Sequence, residues 1–138
     1  MTGTATAQGR MARNADDVMQ MNVDEEVEKV TRLGIEWAEK NETASLLEET
    51  KKTLLAQLIG EIMAASRKDG KKGISFAQAE TEALADVRYE AHLNEMTQAR
   101  REANKARVRH ETAGVRLEML RSLMANRREE MRMAGMLR

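Results

Sequence analysis

The chain has 138 residues, and its 23 basic and 23 acidic side chains give a formal net charge of zero. It has no proline, no cysteine and only three aromatic residues, Trp37, Phe76 and Tyr89. The lack of cysteine excludes disulfides and thiolate chemistry, and the scarcity of aromatics argues against a core built on large rings. A chain rich in Ala, Leu, Met, Glu, Lys and Arg is typical of long helices and coiled coils, so the predicted fold class is all-α.

Residues 1–21 are small, polar and aperiodic, and we expect a disordered tail there. A helical region is predicted over 23–67, because apolar residues from Val23 onward recur three and four apart on one face. A polar stretch at 40–43 is followed by a capping-box match at 45–48. Two alternatives follow: one continuous helix, or two helices joined near 41–45.

A turn is predicted at 68–74, where Gly70 and Gly73 provide the positive φ angles of a tight reversal. Ser75, with Gln78 three residues later, matches the start of a new helix. From there the sequence predicts one helix over 75–133, because Gly114 weakens a helix without ending it.

Small and apolar residues alternate three and four apart along this helix, which is the heptad pattern of a helix packed along its length. We assign these residues to a seam that faces a partner helix or a second copy. They are Met96, Ala99, Ala103, Ala106, Ala113, Leu117, Leu120, Met124 and Met131. The predicted architecture over 22–138 is an elongated antiparallel helical hairpin, or coiled coil, with one very long C-terminal helix. Because the end of that helix would overhang 23–67, we expect a homodimer.

Charge is distributed unevenly: residues 1–60 carry 7 basic and 11 acidic side chains, whereas 99–138 carry 11 basic and 5 acidic. The basic part suits contact with a nucleic-acid backbone, and its alternative is a solvated flank paired with the acidic first helix. The candidate nucleic-acid contacts are Arg100, Arg101, Lys105, Arg109, Arg116, Arg121, Arg128 and Arg132.

Nothing in the sequence predicts catalysis. His92 and His110 lie eighteen residues apart, about 27 Å along one helix, so they cannot bind one metal ion within a chain. No serine lies in a Gly-x-Ser-x-Gly elbow, and the glycines at 70 and 73 do not match a phosphate-binding loop. We therefore expect no enzyme activity, cofactor, metal or small-molecule substrate. No apolar run approaches the length of about 20 residues that spans a bilayer, and no membrane association is expected.

The segments 76–89, 99–107 and 120–131 resemble small helical proteins of tailed bacteriophages and prophages, some encoded near homologous-recombination genes. The resemblance covers roughly 75–133 and includes no active-site residues. It implies an accessory role in a bacterial host cytoplasm, a setting that the lack of cysteine also fits.

The predicted function is a non-enzymatic phage or prophage accessory protein that binds DNA, or a DNA-bound recombination or repair protein, through the basic helical ridge. The alternative is a protein–protein interaction module, such as a phage-encoded inhibitor of a host nuclease or defence complex, or a phage assembly component. In that case binding would depend on the methionine-rich end, with Met133, Met136 and Leu137.

Overall fold

A computed structural model describes residues 3–135, with side chains at residue 15, 17–68 and 70–135. Helix α1 spans Gly3–Ser66, α2 spans Phe76–Leu84 and α3 spans Val87–Met133. A single 3-10 turn lies at Lys68–Gly70, and the described residues form no strand. The all-α class and the very long C-terminal helix are confirmed.

Two compact units make up the chain, and α1 and α3 each contribute to both. Unit 1 comprises Met1–Glu36 with Arg107–Arg138, of which 3–36 and 107–135 are described. Unit 2 is the intervening stretch, Trp37–Ala106.

Helix α1 differs from the prediction at its start. It begins at Gly3 instead of near residue 22, where the sequence places the end of a tail. Alanine, methionine and arginine recur through this early stretch, and with no proline present nothing interrupts a helix once it has formed. The helix also continues through 41–45 without a joint, so of the two alternatives the single helix is the one observed.

The turn forms where the sequence predicts it, with one difference. Gly70 has a φ of 71°, whereas Gly73 is not in the positive-φ region. At Gly73 the backbone instead lies close to the Arg67 side chain, since a Cβ at this position would be 2.8 Å from Cγ of Arg67. Ser75 caps α2 as predicted, since its Oγ accepts a hydrogen bond from the backbone N–H of Gln78 at 3.2 Å.

The single helix predicted over 75–133 is wrong, because it breaks at Ala85 and Asp86 into α2 and α3. The Asp86 carboxylate accepts a hydrogen bond from the backbone N–H of Arg88 at 2.8 Å. Its backbone carbonyl accepts from the N–H groups of Tyr89 and Glu90, both at 3.1 Å. Asp86 therefore satisfies the free donors at the start of α3, which is the role of an N-cap residue.

Unit 2 is a helical hairpin to which the short helix α2 adds a third layer. Its core joins Leu58 and Ile59 of α1, Ala79 and Ala83 of α2, and Tyr89 of α3. Ala79 and Ala83 are fully buried, so this face of α2 lies close against the other two helices. This packing explains the helix break, because a straight continuation of α3 would remove α2 from the core.

In unit 1 the early part of α1 runs antiparallel to the end of α3. Gly34 lies against the ring of His110, while Met19 meets Arg127, whose guanidinium donates to the Met19 sulfur at 3.0 Å. The overhang predicted for α3 is therefore wrong, since described residues of the stretch assigned to a tail lie beside α3 as far as Met131. The argument for a homodimer that rested on the overhang is removed with it.

Candidate interaction surfaces

The seam predicted along α3 is covered within the chain. Ala103, Ala106, Ala113 and Leu117 are buried, and the remaining seam residues are half-buried. This burial arises from the single chain alone. The residues assigned to a partner helix or a dimer therefore lie in the intramolecular helix pairs of the two units.

Both histidines bind the backbone of α1. His92 Nε2 lies 2.8 Å from the carbonyl oxygen of Leu47, and His110 Nδ1 lies 3.1 Å from that of Val30. Because a carbonyl oxygen can only accept, each ring nitrogen must carry a proton and donate. These imidazoles fix the position of α3 against α1 within their own units.

Arg100, the first residue of the predicted ridge, binds side chains of α1 within unit 2. Its Nε and one Nη donate to the Glu48 carboxylate at 2.8 and 3.0 Å, and its other Nη donates to Asn41 at 2.7 Å. The guanidinium lowers the pKa of Glu48, and the carboxylate raises that of Arg100. For Arg100 the structure therefore matches the alternative prediction, in which arginines pair with the acidic first helix.

Several other residues of the predicted ridge contact side chains of the same chain. Lys105 pairs with Glu102 at 3.4 Å and Arg109 with Glu36 at 3.6 Å. Arg101 donates to the Gln98 side-chain oxygen at 3.4 Å and forms no ion pair with the described residues. These side chains remain largely exposed, so the pairs contribute little stability and leave the cations accessible.

The rest of the ridge lies in unit 1, on two different edges of α3. Arg116 lines a groove with Leu120 and Leu123, whereas Arg128 lines another with Asp17. Arg121 precedes Arg128 by two helical turns and so shares its edge. Within the described part of the chain, Arg116, Arg121 and Arg128 form no ion pair. The predicted ridge is therefore not one surface.

Arg132 continues the edge of Arg121 and Arg128 near the end of α3. It pairs with Glu129 at 2.7 Å, and 70% of its side chain is exposed. We call Arg121, Arg128 and Arg132 the basic edge. Of the methionine-rich end, Met133 is 80% exposed, while Met136 and Leu137 lie outside the described residues.

An apolar row on α3 escaped the sequence analysis. Val108, Val115, Met119 and Leu123 lie at spacings of seven, four and four, and each exposes more than half of its surface. The sequence does contain the pattern that could have revealed this row, because its spacing is a second heptad repeat out of phase with the buried seam. We call these four residues the outer row.

The outer row borders an open groove between α1 and α3 of unit 1. One end is basic, lined by Lys29 and Leu33 of α1 with Arg109 and Arg116 of α3. The other end has more acidic than basic side chains: Glu25 and Glu26 of α1 line it with Met119 and Leu123, and Arg116 lines it too. One carboxylate oxygen of Glu26 is buried and has no hydrogen-bond partner in the described structure. The groove thus combines apolar walls with Lys29 and Arg109 at one end, Glu25 and Glu26 at the other, and Arg116 common to both.

Sequence reasoning also missed an ion-pair cluster in unit 2. Arg88 donates to Glu61 of α1 at 2.7 Å and to the Asp86 carboxylate at 3.1 and 3.2 Å. The hydrogen bonds from the side chain and backbone of Arg88 lower the pKa of Asp86. The cluster joins the start of α3 to the end of α1 and has a structural role.

The described residues contain no group of three or more His, Cys, Asp or Glu side chains placed to hold a metal ion. No helix in that part of the chain is long and apolar enough to cross a membrane. The carboxyl groups of Glu48 and Asp86, whose pKa values are lowered, belong to ion pairs with Arg100 and Arg88 at the surface of unit 2 and not to a cleft. No protein-family model, curated protein or solved structure matches the chain.

Proposed function

We propose that this protein is a non-catalytic accessory factor that binds DNA, or a DNA-bound recombination or repair protein, through the basic edge of α3. The observation that carries the proposal is the exposure of Arg121, Arg128 and Arg132, of which the first two have no acidic partner among the described residues. The resemblance of 75–133 to phage and prophage proteins supports the setting, in phage or prophage DNA metabolism.

Arginine suits this role because its planar guanidinium forms two parallel hydrogen bonds with a phosphate. Arg121 and Arg128 are seven residues apart, so their Cα atoms are separated by about 10 Å along the helix. Long flexible side chains over that distance can reach successive phosphates of one strand. The edge has no aromatic residue on which a base could stack, so binding should follow the backbone and show little sequence preference.

Such binding should depend on salt. Three phosphate contacts release counterions, which gives a slope of about −2.7 in a plot of log affinity against log salt for duplex DNA. The affinity should therefore fall steeply as salt is raised, and most of that dependence should disappear with the three arginines.

The test is fluorescence anisotropy with labelled single-stranded and duplex DNA over a salt series. The variant Arg121→Gln/Arg128→Gln/Arg132→Gln removes the basic edge. The control Lys52→Gln/Lys71→Gln/Lys72→Gln removes the same charge from exposed positions of unit 2. Loss of binding in the first variant alone would support the proposal. Equal loss in both, or no binding by the wild-type protein at low salt, would overturn DNA binding at this edge.

A protein–protein interaction module is the second candidate, favoured by the exposure of Met133 at the end of α3. Methionine packs adaptably and is frequent on surfaces that accept partners. Such a module would act as an inhibitor of a host nuclease or defence complex, or in phage assembly. A Met133→Glu variant should then lose a partner that co-purifies with the wild-type protein, whereas the basic-edge variant should keep it.

A further inference from the structure

We infer that the groove of unit 1 binds a second copy of this chain, in a two-fold dimer that joins the outer rows of two molecules. This interface differs from the seam dimer expected from the sequence, because the seam is already covered. It also lies on the other edge of α3 from Arg121 and Arg128, so it is independent of the proposed DNA contact.

The apolar side chains of the outer row suit a helix as partner. Val108, Val115, Met119 and Leu123 are between 54% and 62% exposed and follow the spacing at which helices pack side by side. Four large aliphatic residues aligned on one exposed face are more than the isolated apolar residues of an ordinary surface. Burial against an equivalent row would remove this area from water in both copies.

The order of charged side chains along the groove favours a second copy of this chain as the partner over an unrelated helix. Within one groove, Lys29 and Arg109 lie at the basic end and Glu25 and Glu26 at the acidic end, while Arg116 lines both stretches. A two-fold axis reverses the direction of the groove, so each basic end meets the partner's acidic end. A surface with this charge order is complementary to itself when antiparallel. It would repel an equivalent copy placed in the parallel direction.

The size of the face indicates a weak dimer. The outer row covers about 22 Å of helix, and two helices side by side are about 20 Å wide, so the face is on the order of 450 Å² per copy. A stable interface buries about 800 Å² per partner. We therefore expect a dissociation constant in the micromolar range, and the association should be visible only when the protein is concentrated.

The experiment is sedimentation velocity on the full chain from about 1 to 200 µM, near the dissociation constant expected. The wild-type protein should shift from monomer to dimer across this range. One variant, Glu25→Lys/Glu26→Lys, makes both ends of the groove basic. A second variant, Lys29→Glu/Arg116→Glu, makes both ends acidic. Each variant alone should dimerise at least about tenfold more weakly than wild type, because like charges then meet.

Mixing the two variants distinguishes this interface from misfolding. In an equimolar mixture every basic end meets an acidic end again, so association should return to nearly the wild-type strength. The control Lys71→Glu/Lys72→Glu changes exposed charges in unit 2 and should dimerise like the wild type. A wild-type protein that remains monomeric at the highest concentration overturns the inference. So do charge variants that dimerise normally, or a mixture that fails to restore the dimer.

Discussion

Substitution of Gly34 by alanine tests the closest helix contact of unit 1. A Cβ at this position would lie 3.0 Å from Cε1 and 3.2 Å from Nδ1 of the His110 ring. The ring is held there by the hydrogen bond from its Nδ1 to the Val30 carbonyl oxygen at 3.1 Å. An added methyl group therefore requires the imidazole to move by a few tenths of an ångström, which weakens that bond.

The free energy of unfolding reflects two opposing effects. Alanine is preferred over glycine in a helix interior by about 1 kcal/mol. Loss of the His110 hydrogen bond costs about 1 kcal/mol, and a disturbed contact adds to that cost. Gly34→Ala should therefore leave stability unchanged or lower it. Gly60 is in the same helix with nothing within 4 Å of its Cβ position, so Gly60→Ala should gain the full preference.

Urea unfolding followed by circular dichroism measures both variants, and the expected difference between them is at least about 1 kcal/mol. A double-mutant cycle isolates the cause. In a His110→Ala background the ring is absent, so Gly34→Ala should stabilise the protein as Gly60→Ala does. Equal stabilisation by Gly34→Ala and Gly60→Ala in the wild-type background would refute the close packing of α1 against α3 at this point.

Three further substitutions test unit 2. Because Arg100 lowers the pKa of Glu48, folding favours the ionised carboxylate, and this stabilisation is lost as the pH falls through the lowered folded pKa. The melting temperature should therefore fall more steeply below about pH 4.3 in the wild type than in Glu48→Gln; parallel profiles would contradict this. Asp86→Ala should cost about 1 kcal/mol in urea unfolding, with Asp86→Asn close to wild type, since the asparagine oxygen can still accept the capping bond. Leu58→Ala should cost about 3 kcal/mol because the side chain is 1% exposed, whereas the 59% exposed Leu46 should tolerate alanine within about 0.5 kcal/mol; similar losses at both positions would place the core elsewhere.

The parts of the fold that local chemistry determines were predictable. The buried seam through Ala103, Ala106 and Ala113 follows from spacing alone, because a heptad pattern requires a packed helix face. The turn followed from Gly70 and the start of α2 from Ser75, since a positive φ and a capping hydroxyl each act within a few residues.

The features that depend on contacts between distant residues were not predictable. Asp86 offers a local cap for a new helix, but the break there also depends on the packing of Ala79 and Ala83 against Leu58, which the sequence does not reveal. The early start of α1 was not predictable either, because a polar segment without apolar periodicity gives no helix signal of its own.

The same distinction applies to the candidate site. Composition correctly indicated a surplus of arginine in the last third of the chain, but the helix register decides which arginines have an acidic partner. Arg100 lies opposite Glu48 and is paired, while Arg121 and Arg128 lie where the described residues provide no ion pair. The outer row had a readable pattern, which was overlooked because the buried seam already explained the helix.

The central claim is that the basic edge of α3 binds a phosphate backbone. The most direct test is the slope of log affinity against log salt for duplex DNA, compared between the wild type and Arg121→Gln/Arg128→Gln/Arg132→Gln. The account predicts measurable binding at low salt and a slope shallower by about 2.7 in the variant, with the lysine control unchanged apart from a small uniform loss of affinity. Identical slopes for the wild type and the basic-edge variant would contradict it.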